Sequence, residues 1–240
     1  MPDGYRLVVA STDLNLSYAL TTAIVAFKAD MTALVVWHKV TPCTIPSTLN
    51  ETDYYQRTYA ALSQLGRELA ALGIALDGWA IDASGTPFAV VTDFARNAIK
   101  VCGIPCIAMV GRASHIFSEY PKSRLKEAVK RTVLCGDERE HLKRGGGIKY
   151  QYWDSDYYRE LCQRAFLSES GSRGSCELYK ADADEHMDYA NQFCNERLLY
   201  IKALPNGRSQ YAWKSKEPHD FLDATAQAFA VAASNGLGIA

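Results

Sequence analysis

Three features of the sequence predict an α/β domain built on a mixed sheet, an antiparallel meander joined to parallel strands and flanked by helices. The first 39 residues hold three strand-like runs separated by short turns. Between residues 76 and 110 an apolar strand, a helix and a second apolar strand alternate, which implies parallel pairing through a crossover helix. A last helix beginning at Pro218 carries Ala224, Ala226, Ala228, Ala230, Ala232 and Ala233, all small enough to let it lie close on a sheet.

In chain order, the first strand is expected over Tyr5–Asp13. Its run Leu7, Val8, Val9, Ala10 lacks alternation, so both faces should be covered. Tyr18–Phe27 and Met31–Lys39 continue the meander, with Lys28-Ala29-Asp30 as the second turn. Val40–Asn50 holds two prolines and reads as a loop, and Asn50 or Thr52 caps the next helix, with Glu51 and Asp53 at its positive end. That helix spans Thr52–Leu72 on the stripe Leu62, Leu65, Leu69, Leu72 and stops at Gly73. A strand over Leu76–Ile81 ends on Asp82. A helix over Pro87–Val101 and a strand over Cys106–Val110 follow.

Residues 124–134 read equally as helix or strand, and Gly145–Gly147 as a turn. Ile148–Trp153 is a strand candidate leading into a helix capped by Asp154 or Ser155 and running to Phe166. Beyond it come a short strand over Cys176–Tyr179, a helix over Asp184–Cys194, and a hairpin of Leu198–Leu204 with Ser209–Lys214. The last helix ends at Asn235-Gly236. With no repeat and no linker, a single domain over residues 1–240 is expected.

Composition excludes several classes. No apolar run approaches the roughly 20 residues of a membrane span, and the N-terminus lacks the shape of a signal peptide, so a soluble, cytoplasmic protein is expected. The seven cysteines are irregularly spaced, which favours reduced thiols over a disulfide framework or a zinc site. A phosphate loop GxxxxGK[ST], a GxGxxG after a strand, a GxSxG elbow and an HxxxH pair are all missing. Net charge is −1, yet residues 122–149 hold nine Lys/Arg against four Asp/Glu. That stretch is either a solvated helix face or an edge that contacts phosphates.

Asp13 and Asp82 each end a strand, and Asp220 and Asp223 lie three apart on the last helix, hence on one face. Each has a bland reading, as a turn residue, a cap or a dipole partner in a first helical turn. Acidic residues converging from separate elements can instead hold hard cations, which clamp the attacking and leaving oxygens of a phosphodiester. In this order along the chain, the four carboxylates describe an RNase H-like layout.

Three segments carry a family resemblance: Val8-Val9-Ala10-Ser11-Thr12-Asp13-Leu14-Asn15, Ala80-Ile81-Asp82-Ala83-Ser84-Gly85, and Pro218-His219-Asp220-Phe221-Leu222-Asp223-Ala224. They resemble the C-terminal nuclease domain of phage large terminase subunits, in the lambda-like branch. Ile107–Arg112 and Tyr150–Glu160 resemble later segments of the same domain, so the similarity covers nearly the whole chain in order. It implies an RNase H-like endonuclease that cuts concatemeric viral double-stranded DNA during genome packaging, with one or two Mg²⁺ or Mn²⁺ ions. Asp13 matches the first-strand metal ligand and Asp82 the second. Asp220 and Asp223 both match acidic positions, without deciding which binds metal. Arg112, Lys122, Arg124, Lys143, Arg144 and Lys149 are the expected DNA-backbone contacts.

The resemblance also implies partners (small terminase subunit, portal) and a host-cell cytoplasmic setting. Complete large terminases carry an ATPase motor that this sequence lacks, so a fragment or a separately encoded nuclease is expected. Two alternatives stand beside this reading: another RNase H-like enzyme such as a resolvase or transposase core, and a non-catalytic docking module.

Overall fold

The computed structural model describes residues 4–16, 19–46, 48–84, 87–113, 132–136, 149–205, 209–216 and 218–238, with only the backbone described at 132–136, 149 and 209. Ten strands and five helices fall within them: β1 (Tyr5–Asn15), β2 (Ala19–Lys28), β3 (Ala33–Pro42), α1 (Glu51–Ala71), β4 (Gly78–Asp82), α2 (Phe88–Cys102), β5 (Cys106–Arg112), β6 (Thr132–Gly136), β7 (Lys149–Asp154), α3 (Ser155–Leu167), β8 (Cys176–Leu178), α4 (Ala183–Cys194), β9 (Glu196–Ala203), β10 (Ser209–Ser215) and α5 (Asp220–Ser234). Eight strands form one sheet in the order β6-β7-β5-β4-β1-β2-β3-β8, and β9 with β10 form a separate ribbon. The β1–β2–β3 meander is antiparallel, while β4 is parallel to β1 and β5 to β4. The order 3-2-1-4-5 with an antiparallel β2 is the RNase H-like arrangement.

The unbroken apolar run of β1 has its expected cause. Val9 packs with Ala23, Val25 and Phe27 into a core under α3, α4 and α5. Val8 and Ala10 face the other way, into a core with Leu62, Leu65 and Leu69 of α1 and Val90, Val91 and Phe94 of α2. The strand still alternates, but both of its faces are covered. Asn50 caps α1 by accepting from Asp53 N, as its position predicts. Leu65 is 1% exposed on the stripe that closes the α1 side. Leu65→Ala should therefore lower unfolding free energy by about 2–5 kcal/mol, read as a chemical-denaturation midpoint shift without loss of the native fold.

The last helix is more buried than an amphipathic surface helix. On α5, Phe221, Leu222 and an unbroken run from Ala224 to Ala233 are buried. The alanines bring its axis close to β1 and β2, where Phe229 meets Phe27 edge-on at 5.1 Å between centroids. Ser11 Oγ on β1 donates to Gln227 Oε1 across this interface at 2.8 Å. That bond fixes the helix along the strand and sets where the N-terminal turn of α5 falls.

One boundary matters for function. The sequence reading ends the first strand at Asp13, but β1 continues to Asn15, with Asp13 opposite Thr21. The extra residues, Leu14 and Asn15, stay extended because Leu20 and Ala19 of β2 pair with them, and just before them Thr12 and Thr22 share a hydroxyl hydrogen bond of 2.9 Å. Likewise β3 runs on to Pro42, giving Ala19 to Thr22 of β2 their partners. Of the ambiguous segment at residues 124–134, the described part is extended, in β6.

Candidate active site

Parity along β1 aims Asp13. Ser11 points to α5, so Asp13, two residues on, faces the same side one step nearer the helix N-terminus. The parallel register sets Thr12 beside Ile81, which makes Asp13 the neighbour of Asp82 at the end of β4. Asp220 opens α5 and is buried, with its Oδ2 3.5 Å from Thr21 Oγ1, the hydroxyl across from Asp13. Asp223 follows one turn along. Asp13, Asp220 and Asp223 line one open pocket of about 480 Å³ with Asn15, Ser84 and His219. Asp82 stands behind Ser84, accepting from its Oγ at 2.7 Å and its N at 3.2 Å.

The electrostatics register this crowding. Burial raises the Asp13 carboxyl well above the usual carboxylate range, Asp223, Asp82 and Asp220 push it further, and Arg159 opposes them. Burial also lifts Asp82 to about 6 against the hydrogen bonds from Ser84, with Asp223 adding to the rise. Like charges held together in a pocket disfavour ionisation unless a cation joins them.

Among the described residues, no three His, Cys, Asp or Glu side chains are already gathered in a ligand cluster. The site is a ring of carboxylates about a pocket rather than a closed cage. Its donor set nevertheless fits a hard divalent cation, because three carboxylates, Asp13, Asp220 and Asp223, line the pocket and carry more negative charge than one guanidinium offsets.

Two residues at the site escape sequence reasoning. Arg159, on α3, is largely buried, and its Nε donates to Asp223 Oδ1 while its Nη1 lies 3.3 Å from Glu196 Oε2. The latter contact is an ion pair rather than an aligned hydrogen bond. Burial alone would lower the guanidinium's pKa, and Asp223 and Glu196 more than reverse that. His219, which caps α5, puts its Nε2 3.8 Å from Asp223 Oδ2, with its buried Nδ1 lacking a hydrogen-bond partner. The sequence sets the histidines aside for want of a pair. The only signal available was the position of His219 beside Asp220.

The expected DNA contacts separate. Arg112 ends β5 at the same edge of the sheet as Asp82, its guanidinium 5.3 Å from the Tyr152 ring centroid. Lys149 begins β7, which runs parallel to β5 from Ala108 beside Tyr150 to Arg112 beside Asp154, so its backbone lies one step before the Ala108–Tyr150 pair, two strands from β4. Lys122, Arg124, Lys143 and Arg144 lie outside the described residues. No helix among the described residues is long and apolar enough to cross a membrane.

Comparison with known proteins adds the following. The family described as terminase large subunit gpA, endonuclease domain, matches residues 1–239. No curated protein matches the chain. Among solved structures, Thermus thermophilus RuvC in complex with a Holliday junction substrate superposes with a TM-score of 0.40 at 13% identity, covering 97% of this chain and 98% of that one. The large terminase of a thermophilic bacteriophage gives 0.43 at 10% identity over 96% of this chain, which spans 41% of that protein. An Aquifex aeolicus PPX-GPPA enzyme gives 0.30 at 13% identity over 43% and 36%. At such scores and identities these likenesses are distant.

Proposed function

This chain belongs to the terminase large subunit endonuclease-domain family, and from that premise we propose that it is a divalent-metal-dependent endodeoxyribonuclease that cuts concatemeric double-stranded DNA during viral genome packaging, with Asp13, Asp82, Asp220 and Asp223 as its metal-holding carboxylates. The observation that carries this reading is the convergence of acidic side chains from β1, β4 and α5 on one place, where the carboxyl of Asp13 is driven up by the other three. A docking module has no need of such a costly arrangement.

Bound Mg²⁺ or Mn²⁺, one ion or two, would activate water and neutralise charge on the phosphate in flight. The chain's own residues do the rest. Asp13 and Asp82 present oxygens from adjacent strands of a rigid sheet, and Thr21 and Ser84 fix the carboxylates of Asp220 and Asp82 by hydroxyl contacts. Arg159 holds Asp223 from behind. Arg112, at the end of the neighbouring strand β5, would supply a backbone-phosphate contact. The reading takes residues 1–240 as one nuclease domain that works with packaging partners such as the small subunit, portal and an ATPase motor.

Mn²⁺ titration followed by thermal unfolding tests the metal reading without DNA. Metal at 100 times its dissociation constant should stabilise the protein by about 2.7 kcal/mol, and Asp13→Asn should abolish that gain. A melting temperature indifferent to Mn²⁺ in the unmodified protein overturns the reading. Equal cleavage of branched and linear duplex supports it, whereas preference for a four-way junction supports a resolvase instead.

A further inference from the structure

Among the described residues, the β9–β10 ribbon lines none of the acidic pocket, yet at its root Glu196 pairs with the Arg159 that holds Asp223. Three cations, Arg197, Lys214 and Lys216, line a cleft of about 200 Å³ with Cys194 and Asn195, and no carboxylate among the described residues lines it. Arg197 and Lys214 are direct partners in the antiparallel register, so two like charges face each other across the ribbon. Such a pairing is destabilising by itself. Glu196, the nearest acid in sequence, points to the opposite face of its strand. Its Oε1 accepts from Ser215 Oγ at 2.6 Å and its Oε2 pairs with Arg159, so it is already committed. All three cations are exposed. The cleft therefore gathers positive charge that no carboxylate lining it among the described residues offsets, in a space suited to a tetrahedral oxyanion.

Two connections tie this cleft to the carboxylates. Asn195 Nδ2 donates to Pro218 O at 2.6 Å, two residues before Asp220, while Lys216 N donates to Asn195 O at 2.8 Å. Beside it, Glu196 pairs with Arg159, which holds Asp223. An anion seated in the cleft thus lies at a distance from the acidic pocket fixed by two short chains of contacts.

We propose that Arg197, Lys214 and Lys216 form a phosphate clamp that grips the backbone of the DNA duplex to be cut and, through Asn195–Pro218 and Glu196–Arg159, sets its position over the acidic pocket. The choice of a DNA phosphodiester as the anion rests on the nuclease reading; the cleft's preference for a phosphate does not. Contacts of this kind add affinity without reading sequence and make binding salt-dependent.

The test is fluorescence-anisotropy binding of a random-sequence linear duplex to the full chain in EDTA, across a salt series. Replacing Arg197, Lys214 and Lys216 together by alanine should weaken binding at least about tenfold and reduce the magnitude of the log K against log salt slope by about 1–3, at ~0.9 per neutralised phosphate. The charge-preserving variant R197K/K214R/K216R should bind like the unmodified protein. Unchanged affinity and slope in a folded alanine variant overturn the clamp. So does an inorganic-phosphate titration in which the three cations hold phosphate alone while duplex affinity ignores their removal, because that describes a free-anion site. Since no metal is present, loss of duplex binding supports the clamp even if Asp13→Asn still cleaved. Unchanged binding sinks the clamp even if Asp13→Asn were inactive.

Discussion

Asp13→Asn should make the metal-free protein more stable and the nuclease inactive. The two effects have one cause. Burial, and then Asp223, Asp82 and Asp220, raise the folded-state pKa of Asp13 above its value in the unfolded chain. A carboxyl raised in this way carries no penalty below its unfolded value of about 3.9. It acquires one as pH climbs, and the penalty is complete once pH passes the folded value. Asp82, lifted to about 6, behaves likewise. Metal-free protein should thus lose stability as pH rises from about 4 through 6 and beyond. Asparagine at position 13 keeps the shape and removes one of the charges, so at pH 8 in EDTA the melting temperature should rise by about 3–8 °C, with the gain shrinking towards pH 4. Residues that only orient a metal ligand are worth about 10–100-fold in metal affinity or activity, so loss of a ligand itself should cost more than about 100-fold in cleavage. Plasmid nicking in Mn²⁺ measures the second effect and calorimetry the first. Nicking at the unmodified rate refutes the metal role of Asp13, and a fall in melting temperature refutes the electrostatic account.

The same residue shows what a sequence can and cannot reveal here. Tyr5–Asp13 is legible as a central strand because covering both faces demands an apolar run, and that demand is local, whereas the continuation to Asn15 is set by pairing with β2. Asp13 taken alone reads equally as a turn or cap residue, and only its acidic counterparts along the chain single it out. That it points at α5 follows only from the parity set by Ser11 and the bond to Gln227, 216 residues away in sequence. Asp220 and Asp223 are legible as one helical face, but their distance from Asp13 depends on the alanines that let α5 lie close, which composition suggests and packing decides. The basic stretch ending at Lys149 is legible as a charge count alone: of its expected contacts only the backbone of Lys149 is described, one step before the Ala108–Tyr150 pair, and Lys122, Arg124, Lys143 and Arg144 lie outside the described residues. Meanwhile Arg197, Lys214 and Lys216 look like scattered surface charge until the ribbon's register pairs the first two.

Arg159 lies inside the resembling segment Tyr150–Glu160 with nothing there to single it out, yet its removal should be among the most damaging changes in the molecule. It answers two carboxylates at once, Asp223 on α5 and Glu196 at the root of the ribbon, from a side chain 20% exposed. Removing one partner of a buried ion pair leaves the other charge uncompensated, at a cost of about 3–5 kcal/mol. Arg159→Met, which roughly preserves volume, should therefore lower stability by that amount at pH 8. The catalytic consequence separates this residue from a mere brace. Burial and three carboxylates raise Asp13 while Arg159 works against them, so its loss should lift Asp13 further and move the acid limb of the cleavage pH profile to higher pH. Arg159→Lys keeps the charge but not the planar fork that reaches Asp223 and Glu196 together. It should restore the acid limb towards its original position while leaving the maximal rate depressed, because the orientation of Asp223 is not recovered. A folded Arg159→Met protein whose acid limb coincides with that of the unmodified enzyme would show that the guanidinium braces the fold without tuning the carboxylates.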